Sequence, residues 1–231
     1  MTEQLTWQLT FQIMTFSRSV TSNQAAIHDD LMSILDKHVS TNYSRPIPEV
    51  AQQTFDECQK QLAITKRPLI LDSGCGVGRS TQILANKYPE HWVIGIDQSV
   101  HRLSKAERQE LPVNMLLIRA NLVDFWRLAE TAGWRLDKQY LLYPNPWPKK
   151  NHLKRRWHGH PVFPTLLKLG GILELRTNWG IYADEMAMAL KHAGVKQVDV
   201  EQFEPHNYLT PFEEKYHRSK QPLYQLTADL S

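Results

Sequence analysis

The 231-residue sequence predicts a doubly wound α/β fold, in which a mostly parallel sheet carries helices on both faces. Three observations predict this class. Segments of strand character alternate with segments of helical periodicity along most of the chain. A glycine-rich turn, Gly74 to Gly78, directly follows an apolar strand. Polar residues follow several other strands where each one ends, which is where the ligands of such sheets bind.

The predicted elements follow one another in a regular order. Pro46 and Pro48 separate two N-terminal helices, predicted at 26–38 and 48–64, because proline breaks a helix interior. Strands are predicted at 68–72, 92–96, 115–119, 139–143 and 172–176, and helices from residue 79 and at 99–109, 123–132, 161–169 and 180–193. Two last strands, near 197–203 and 222–228, have no predicted helix between them. They therefore predict an antiparallel pair at the sheet edge.

Length and composition indicate one main domain with an N-terminal appendage. Residues 1 to about 25 are predicted to be a mobile arm, so we divide the chain into an arm with its helix, 1–45, and a main domain, 46–231. No apolar run reaches the length of a membrane span, and the first 20 residues lack the pattern of a secretory signal. Two cysteines, Cys58 and Cys75, favour a reducing, cytoplasmic setting.

The motif from Asp72 to Gly78 predicts the binding site of a nucleoside ligand. Gly74, Gly76 and Gly78 let a ligand approach the backbone, and a helix begins after them. Asp97 ends the next strand, where an acid typically bonds ribose hydroxyls. The Gly-x-Gly-x-Gly spacing and the acid Asp72 before the glycines favour S-adenosylmethionine over a dinucleotide, since Asp72 opposes a pyrophosphate but suits a cationic sulfonium ligand. A tight turn in an unrelated α/β protein is the alternative.

A second motif, at 143–157, predicts contact with nucleic acid. Three prolines at alternate positions force the chain out of the sheet as a stiff loop. That loop presents Asn145 and Trp147, and five of the eight residues from 149 to 156 are Lys or Arg. Such a loop suits a nucleotide within a polyanion, although a Pro-rich turn before a solvated basic helix has the same composition. The net charge is only +3, so the argument depends on this local cluster. The histidines at 152, 158 and 160 are expected to meet RNA or solvent, and no metal site is predicted.

These motifs together resemble the bacterial tRNA (guanine-N7-)-methyltransferase family from about residue 66 to the C-terminus. The most specific stretches are Pro146-Trp147-Pro148-Lys149-Lys150 with Lys154-Arg155-Arg156, then Thr177-Asn178-Trp179, and Thr210-x-Phe212-Glu213. Thr21-x-x-Gln24 is faintly similar to the family's N-terminal arm. The resemblance implies a Rossmann-like class I methyltransferase that uses S-adenosylmethionine to methylate guanine N7 in the tRNA variable loop. Family members occur as monomers and homodimers.

The resemblance also implies roles for individual residues. It places Asp72, Asp97 and the glycines on the cofactor, with Asn121 beside the adenine. It puts Asn145 at the expected centre of methyl transfer. The residues expected to contact RNA are Lys149, Lys154, Arg155, Arg156, Asn178, Thr210 and Glu213.

Three positions depart from the family pattern, because Asn121, Asn145 and Asn178 stand where the family has Asp. An amide at 145 offers a dipole instead of a charge. Asn145-Pro146-Trp147 is also similar to the Asn-Pro-Pro-aromatic loop of enzymes that methylate exocyclic amines, so another RNA group is an alternative target. A third possibility is a catalytically weakened RNA-binding paralogue. Trp147 or Tyr143 is expected to stack a flipped-out base, or Trp147 packs against the loop.

Overall fold

The computed structural model describes residues 17–41, 43–106 and 110–231. Its strands are β1 Leu69–Ser73, β2 Trp92–Asp97, β3 Met115–Arg119, β4 Leu136–Leu142, β5 Ile172–Thr177, β6 Val198–Gln202 and β7 Tyr224–Asp229. Its α-helices are α1 Leu31–Ser40, α2 Glu49–Leu62, α3 Arg79–Lys87, α4 Val100–Ala106, α5 Leu122–Thr131, α6 Phe163–Lys168, α7 Gly180–His192 and α8 Pro211–Arg218. Two short 3₁₀ helices, Lys150–Arg155 and Trp157–Gly159, follow the proline-rich loop.

The strands form one seven-stranded sheet in the order β3-β2-β1-β4-β5-β7-β6. Strands β1 to β5 are parallel, while β7 runs antiparallel to both β5 and β6. The α/β class and the antiparallel edge pair are therefore confirmed. The chain order reverses between β1 and β4, so the loops after these two strands diverge and leave a crevice at their carboxyl ends.

One element was missed, since α8 lies between β6 and β7 where no helix was predicted. Its start is well specified: Thr210 Oγ1 accepts a hydrogen bond from the Glu213 amide at 3.0 Å, and Pro211 occupies the first turn. Glu213 and Glu214 add negative charge near the helix N-terminus. The eight-residue helix is short and mostly polar, with Phe212 and Tyr216 as its large apolar side chains, which is why the pattern did not reveal it.

The N-terminal predictions also need correction. Helix α1 begins at Leu31 and not at 26. The predicted mobile arm includes residues 1–16, which lie outside the described residues, but 17–25 are packed on the main domain. Ser17 bonds Ser219 and Gln221 near the end of α8, and Ser22 donates to the Pro148 carbonyl at 2.5 Å. The expected mobility is therefore wrong for residues 17–25, while the division at residue 45 stays a prediction.

The hydrophobic core fixes the helices against the sheet and supports its functional edge. Phe55 of α2 packs edge-on against Phe125 of α5, with ring centroids 5.2 Å apart. The fully buried Trp126 donates its indole N–H to Ser73 Oγ at 3.1 Å. Because Ser73 ends β1, this bond ties α5 to the residue that precedes the glycine turn. In the described part of the chain no helix is long and apolar enough to cross a membrane.

Protonation of the buried His160 ring is expected to destabilise the fold in acid. Burial, with the nearby positive charges of His38 and Arg45, lowers its pKa from 6.5 to about 4, and its Nδ1 accepts from the Val162 amide at 3.1 Å. The neutral ring therefore stabilises the fold above pH 6.5, and this contribution is lost as the pH falls toward 4. Between pH 6.5 and 4, the wild type should lose unfolding free energy as His160 becomes protonated. In His160→Gln this loss should be smaller by about 1–3 kcal/mol, as measured by urea unfolding at each pH. His206→Gln, an exposed control, should leave the pH dependence unchanged.

Candidate active site

The glycine turn leaves an open face at the end of β1. Gly74, Gly76 and Gly78 all have positive φ, at 84°, 61° and 77°. A Cβ placed on Gly74 or Gly76 would meet no atom within 4 Å, whereas one on Gly78 would lie 3.1 Å from the Ala106 side chain. The first two glycines therefore border free space, and the third packs the start of α3 against the domain. This open backbone is what a cofactor approaching the turn needs.

Asp97 connects the end of β2 to the glycine turn. Its Oδ2 accepts the Gly76 amide at 3.0 Å, and its Oδ1 accepts the Ser99 amide at 2.8 Å. Arg102 reaches the same Oδ1 at 3.1 Å. The carboxylate thus shapes the turn from the position at which the sequence predicts a partner for the ribose hydroxyls.

Asp72 is buried and supports the turn from within the domain. Its Oδ2 accepts from Ser80 Oγ at 2.6 Å and Thr81 Oγ1 at 2.7 Å in the first turn of α3. Burial raises its pKa to about 6, although the two hydroxyl donors oppose that shift. Only 1% of Asp72 and 3% of Asp97 are exposed, so both carboxylates support the turn from within, and their contact with the cofactor stays a prediction.

Asn121 is the N-cap of α5. Its Oδ1 accepts the Val123 amide at 2.9 Å and the Asp124 amide at 3.4 Å. The residue is exposed beyond the end of β3, so a place beside the adenine stays a prediction. Asn178, expected to contact RNA, donates to Gln221 Oε1 at 2.8 Å, and Trp179 is the N-cap of α7.

The proline-rich loop leaves β4 through an abrupt change of backbone direction. Tyr143 and Trp147 have φ of 52° and 45°, in the left-handed region that non-glycine residues rarely adopt. Between them Asn145 is exposed, and its Oδ1 accepts the Trp147 amide at 3.4 Å in a local turn. Strand β4 starts at Leu136 and ends at Leu142, because Tyr143 has already left the strand conformation.

The two aromatic side chains of the loop have different surroundings. The Arg155 guanidinium lies 4.7 Å from the Trp147 ring centroid, so one face of this indole packs against its own loop. Tyr143 donates its hydroxyl to Glu213 Oε2 at 3.0 Å, and its ring lies 5.6 Å from Tyr216. The predicted stacking of a base on Trp147 is thereby limited to the side away from Arg155.

Two residues assigned to RNA contact are too buried for it. Arg156 is 0% exposed and bonds protein groups with its Nε and both Nη atoms, whereas Lys149, Lys154 and Arg155 are exposed. Glu213 is also 0% exposed. Local sequence could not show this, because each of these charges is buried by partners distant along the chain. His158 is likewise buried against Glu185, which corrects its expected exposure to RNA or solvent.

Glu213 holds α8 against the functional edge of the sheet. Besides Tyr143, it accepts Arg176 Nη1 at 3.0 Å and the Leu209 amide at 2.9 Å. Arg176 was not predicted to belong to the site, although its place near the end of β5 was a usable signal. A second ion pair, Arg79 with Glu214 at 2.8 Å, joins the start of α3 to α8. Thr210, as the N-cap of α8, is nearly buried, so its predicted contact with RNA has little exposed surface to use.

The sheet order, the open glycine turn after β1 and the acid at the end of β2 together define a class I S-adenosylmethionine-dependent methyltransferase. Two solved structures show the same fold. The 16S rRNA methyltransferase KamB aligns with a TM-score of 0.58 at 17% identity, over 82% of this chain and 97% of that chain. A point mutant of the 16S rRNA (adenine(1408)-N(1))-methyltransferase from Catenulisporales acidiphilia, solved with S-adenosylmethionine, aligns with a TM-score of 0.50 at 17% identity, over 76% and 90%.

Sequence relatives identify the family. A family model described as "Putative methyltransferase" matches residues 66–226. The tRNA (guanine-N(7)-)-methyltransferase of Lactococcus lactis subsp. cremoris MG1363 is 30% identical in an alignment 172 residues long that covers 70% of this chain and 79% of that protein. The enzyme of that name from Limosilactobacillus reuteri is 30% identical in an alignment 185 residues long that covers 71% of this chain and 82% of that protein. This chain belongs to the tRNA (guanine-N7-)-methyltransferase family and is an S-adenosylmethionine-dependent enzyme.

Proposed function

We propose that this protein transfers the methyl group of S-adenosylmethionine to N7 of a guanine in the variable loop of tRNA. The observation that carries the proposal is the position of Asn145. Asn145 is exposed on the loop after β4. Strand β4 pairs with β1, so this loop lies beside the crevice next to the open glycine turn that follows β1. The exposed cations Lys149, Lys154 and Arg155 follow Asn145 between β4 and α6. The names of the two relatives described above support guanine N7 as the acceptor.

The chemistry needs positioning more than proton transfer. S-adenosylmethionine supplies a methyl group bound to a cationic sulfonium. Guanine N7 carries a lone pair and no proton, so it forms the new N–C bond as the C–S bond breaks, and no general base is required. The positive charge passes from sulfur to the base. Asn145 can direct its amide oxygen toward this charge and its N–H toward O6, which orients the ring.

The exposed cations of the loop predict strong salt dependence of tRNA binding. We expect Lys154→Ala/Arg155→Ala to weaken tRNA binding by about 10-fold at low salt and to reduce the slope of log affinity against log salt by about 2, because two phosphate contacts are lost. Fluorescence anisotropy with labelled tRNA measures both quantities. The matched control is Lys191→Ala/Lys196→Ala, two exposed lysines near the opposite end of the sheet. If log affinity falls with log salt equally steeply in the two double variants, this loop does not contact tRNA.

The function itself is tested by incubating unmodified tRNA with labelled S-adenosylmethionine and analysing the nucleosides by mass spectrometry. The proposal predicts 7-methylguanosine. A different methylated nucleoside would favour the amine-directed alternative that the Asn145-Pro146-Trp147 sequence resembles. Binding of S-adenosylmethionine without any transfer to tRNA would favour another substrate or a role in RNA binding alone.

A further inference from the structure

A buried charged cluster lies directly behind the proline-rich loop. Arg156 Nη1 bonds Glu185 Oε2 at 2.5 Å, and both side chains are 0% exposed. Burial raises the pKa of Glu185, but bonds from His158, Arg156 and Gln24 outweigh this effect, so the net pKa falls to about 2. Placing two charges in a protein interior is costly, and an apolar pair of similar volume often stabilises a fold as well. The pair therefore calls for an explanation other than stability.

Arg156 directs further donors at the backbone of the loop. Its Nε donates to the Trp147 carbonyl at 3.2 Å. Its Nη2 bonds Gln24 with one N–H group, and the Trp147 and Lys149 carbonyls, each 3.2 Å away, share the other. A planar guanidinium with five N–H groups can hold two carbonyls and a carboxylate at once. Lysine, with a single nitrogen on a flexible stem, cannot reproduce this geometry.

The N-terminal segment 22–28 completes the same arrangement. Ser22 Oγ donates to the Pro148 carbonyl at 2.5 Å, and Asn23 Oδ1 accepts the Lys150 amide at 3.0 Å. Gln24 accepts from Arg156 Nη2 at 3.0 Å and donates to Glu185 Oε1 at 2.6 Å. The Trp147 and Lys149 carbonyls are thus held by Arg156, and the Pro148 carbonyl by Ser22 of the N-terminal segment. With its backbone fixed from this side, the loop presents Asn145 and Lys149 in one orientation.

We propose that Arg156 is a positioning residue for methyl transfer, and that it acts together with segment 22–28 by fixing the loop that carries Asn145. The methyl-transfer measurement rests on the proposed function, whereas the order of the loop can be measured without any substrate. Segment 22–28 thereby affects catalysis although it lies far along the chain from the other site residues.

The test compares Arg156→Lys with Leu190→Ala, which removes a fully buried side chain from α7, the helix that also carries Glu185. Hydrogen exchange by mass spectrometry of peptides covering 140–155 reports the loop, and kcat and the Kd for S-adenosylmethionine report the reaction. We expect Arg156→Lys to speed loop exchange by about 10-fold and lower kcat by about 100-fold, with cofactor affinity within about twofold, since misplacement by about 1 Å has effects of this size. Leu190→Ala should change neither loop exchange nor kcat by more than about twofold.

Equal loop exchange in Arg156→Lys and the wild type would overturn the inference, as would parallel losses of kcat in both variants. If Arg156→Lys does not fold, Ser22→Ala/Gln24→Ala provides the same comparison, because it removes only the bonds from the N-terminal segment. A smaller rise in loop exchange and a fall in kcat are then expected, and no change in either contradicts the proposal. Absence of tRNA methylation by the wild-type protein would contradict the proposed function instead, and the exchange data would still decide the role of Arg156.

Discussion

Replacing Asp97 by alanine is expected to weaken S-adenosylmethionine binding by at least about 100-fold. The carboxylate holds the Gly76 and Ser99 amides at 3.0 and 2.8 Å, so its loss disturbs the glycine turn as well as the predicted contact with the ribose. Hydrogen bonds to charged groups contribute about 1.5–3 kcal/mol each. Two such bonds from Asp97 to the ribose hydroxyls would correspond to a factor of about 10²–10⁴ in affinity, at about 1.4 kcal/mol for each factor of ten.

Isothermal titration calorimetry measures this effect directly. Asp97→Asn keeps the shape and one acceptor, so it should fall between the wild type and Asp97→Ala. Asp199→Ala, which removes an exposed acid from β6, is the control and should bind the cofactor normally. If Asp97→Ala binds within about twofold of the wild type, the cofactor does not use the carboxyl end of β2.

Asn145 is expected to control the rate of the chemical step. Its side chain is exposed and makes one long bond, 3.4 Å to the Trp147 amide, so Asn145→Ala should change the free energy of unfolding by less than about 0.5 kcal/mol. Loss of the group that orients the base should nevertheless lower kcat by about 100-fold. Single-turnover methylation of tRNA, combined with thermal unfolding, separates these two effects.

Asn145→Asp tests the effect of the amide itself. A carboxylate beside the base that becomes cationic should stabilise the transition state by about 1–3 kcal/mol, which raises single-turnover methylation of guanine by about 5–150-fold. Asn151→Asp adds the same charge to an exposed position shortly after the loop and controls for repulsion of RNA. A rate for Asn145→Asp no higher than that of Asn151→Asp would show that the amide does not limit the reaction.

The sheet, and the edge at which the cofactor is expected, could be predicted because their signals are local. The glycine turn, the apolar strands and the acid at the end of β2 each occupy a few consecutive residues. Helix α8 also had a local signal, the capping residue Thr210 followed by Pro211, but too few apolar residues to form a recognisable face. Its omission did not change the prediction of an antiparallel edge pair, which β6 and β7 form themselves.

The roles of the charged side chains depended on distant contacts and were less predictable. Arg156 looked like one member of an exposed basic cluster, yet its partners Glu185 and Gln24 lie 29 and 132 residues away along the chain. Glu213 is similarly buried by Tyr143 and Arg176, which are 70 and 37 residues away. Sequence spacing identifies which residues are charged, but burial and pairing are decided by how the strands and loops come together.

Guanine N7 as the acceptor is tested most directly with two tRNA transcripts that differ in one atom position. One carries guanosine at the methylated site of the variable loop, and the other carries 7-deazaguanosine, which has carbon in place of N7. Labelled S-adenosylmethionine should transfer its methyl group to the first transcript and give no signal above background with the second. Equal methylation of both transcripts would contradict the account, because the methyl group would then have another acceptor.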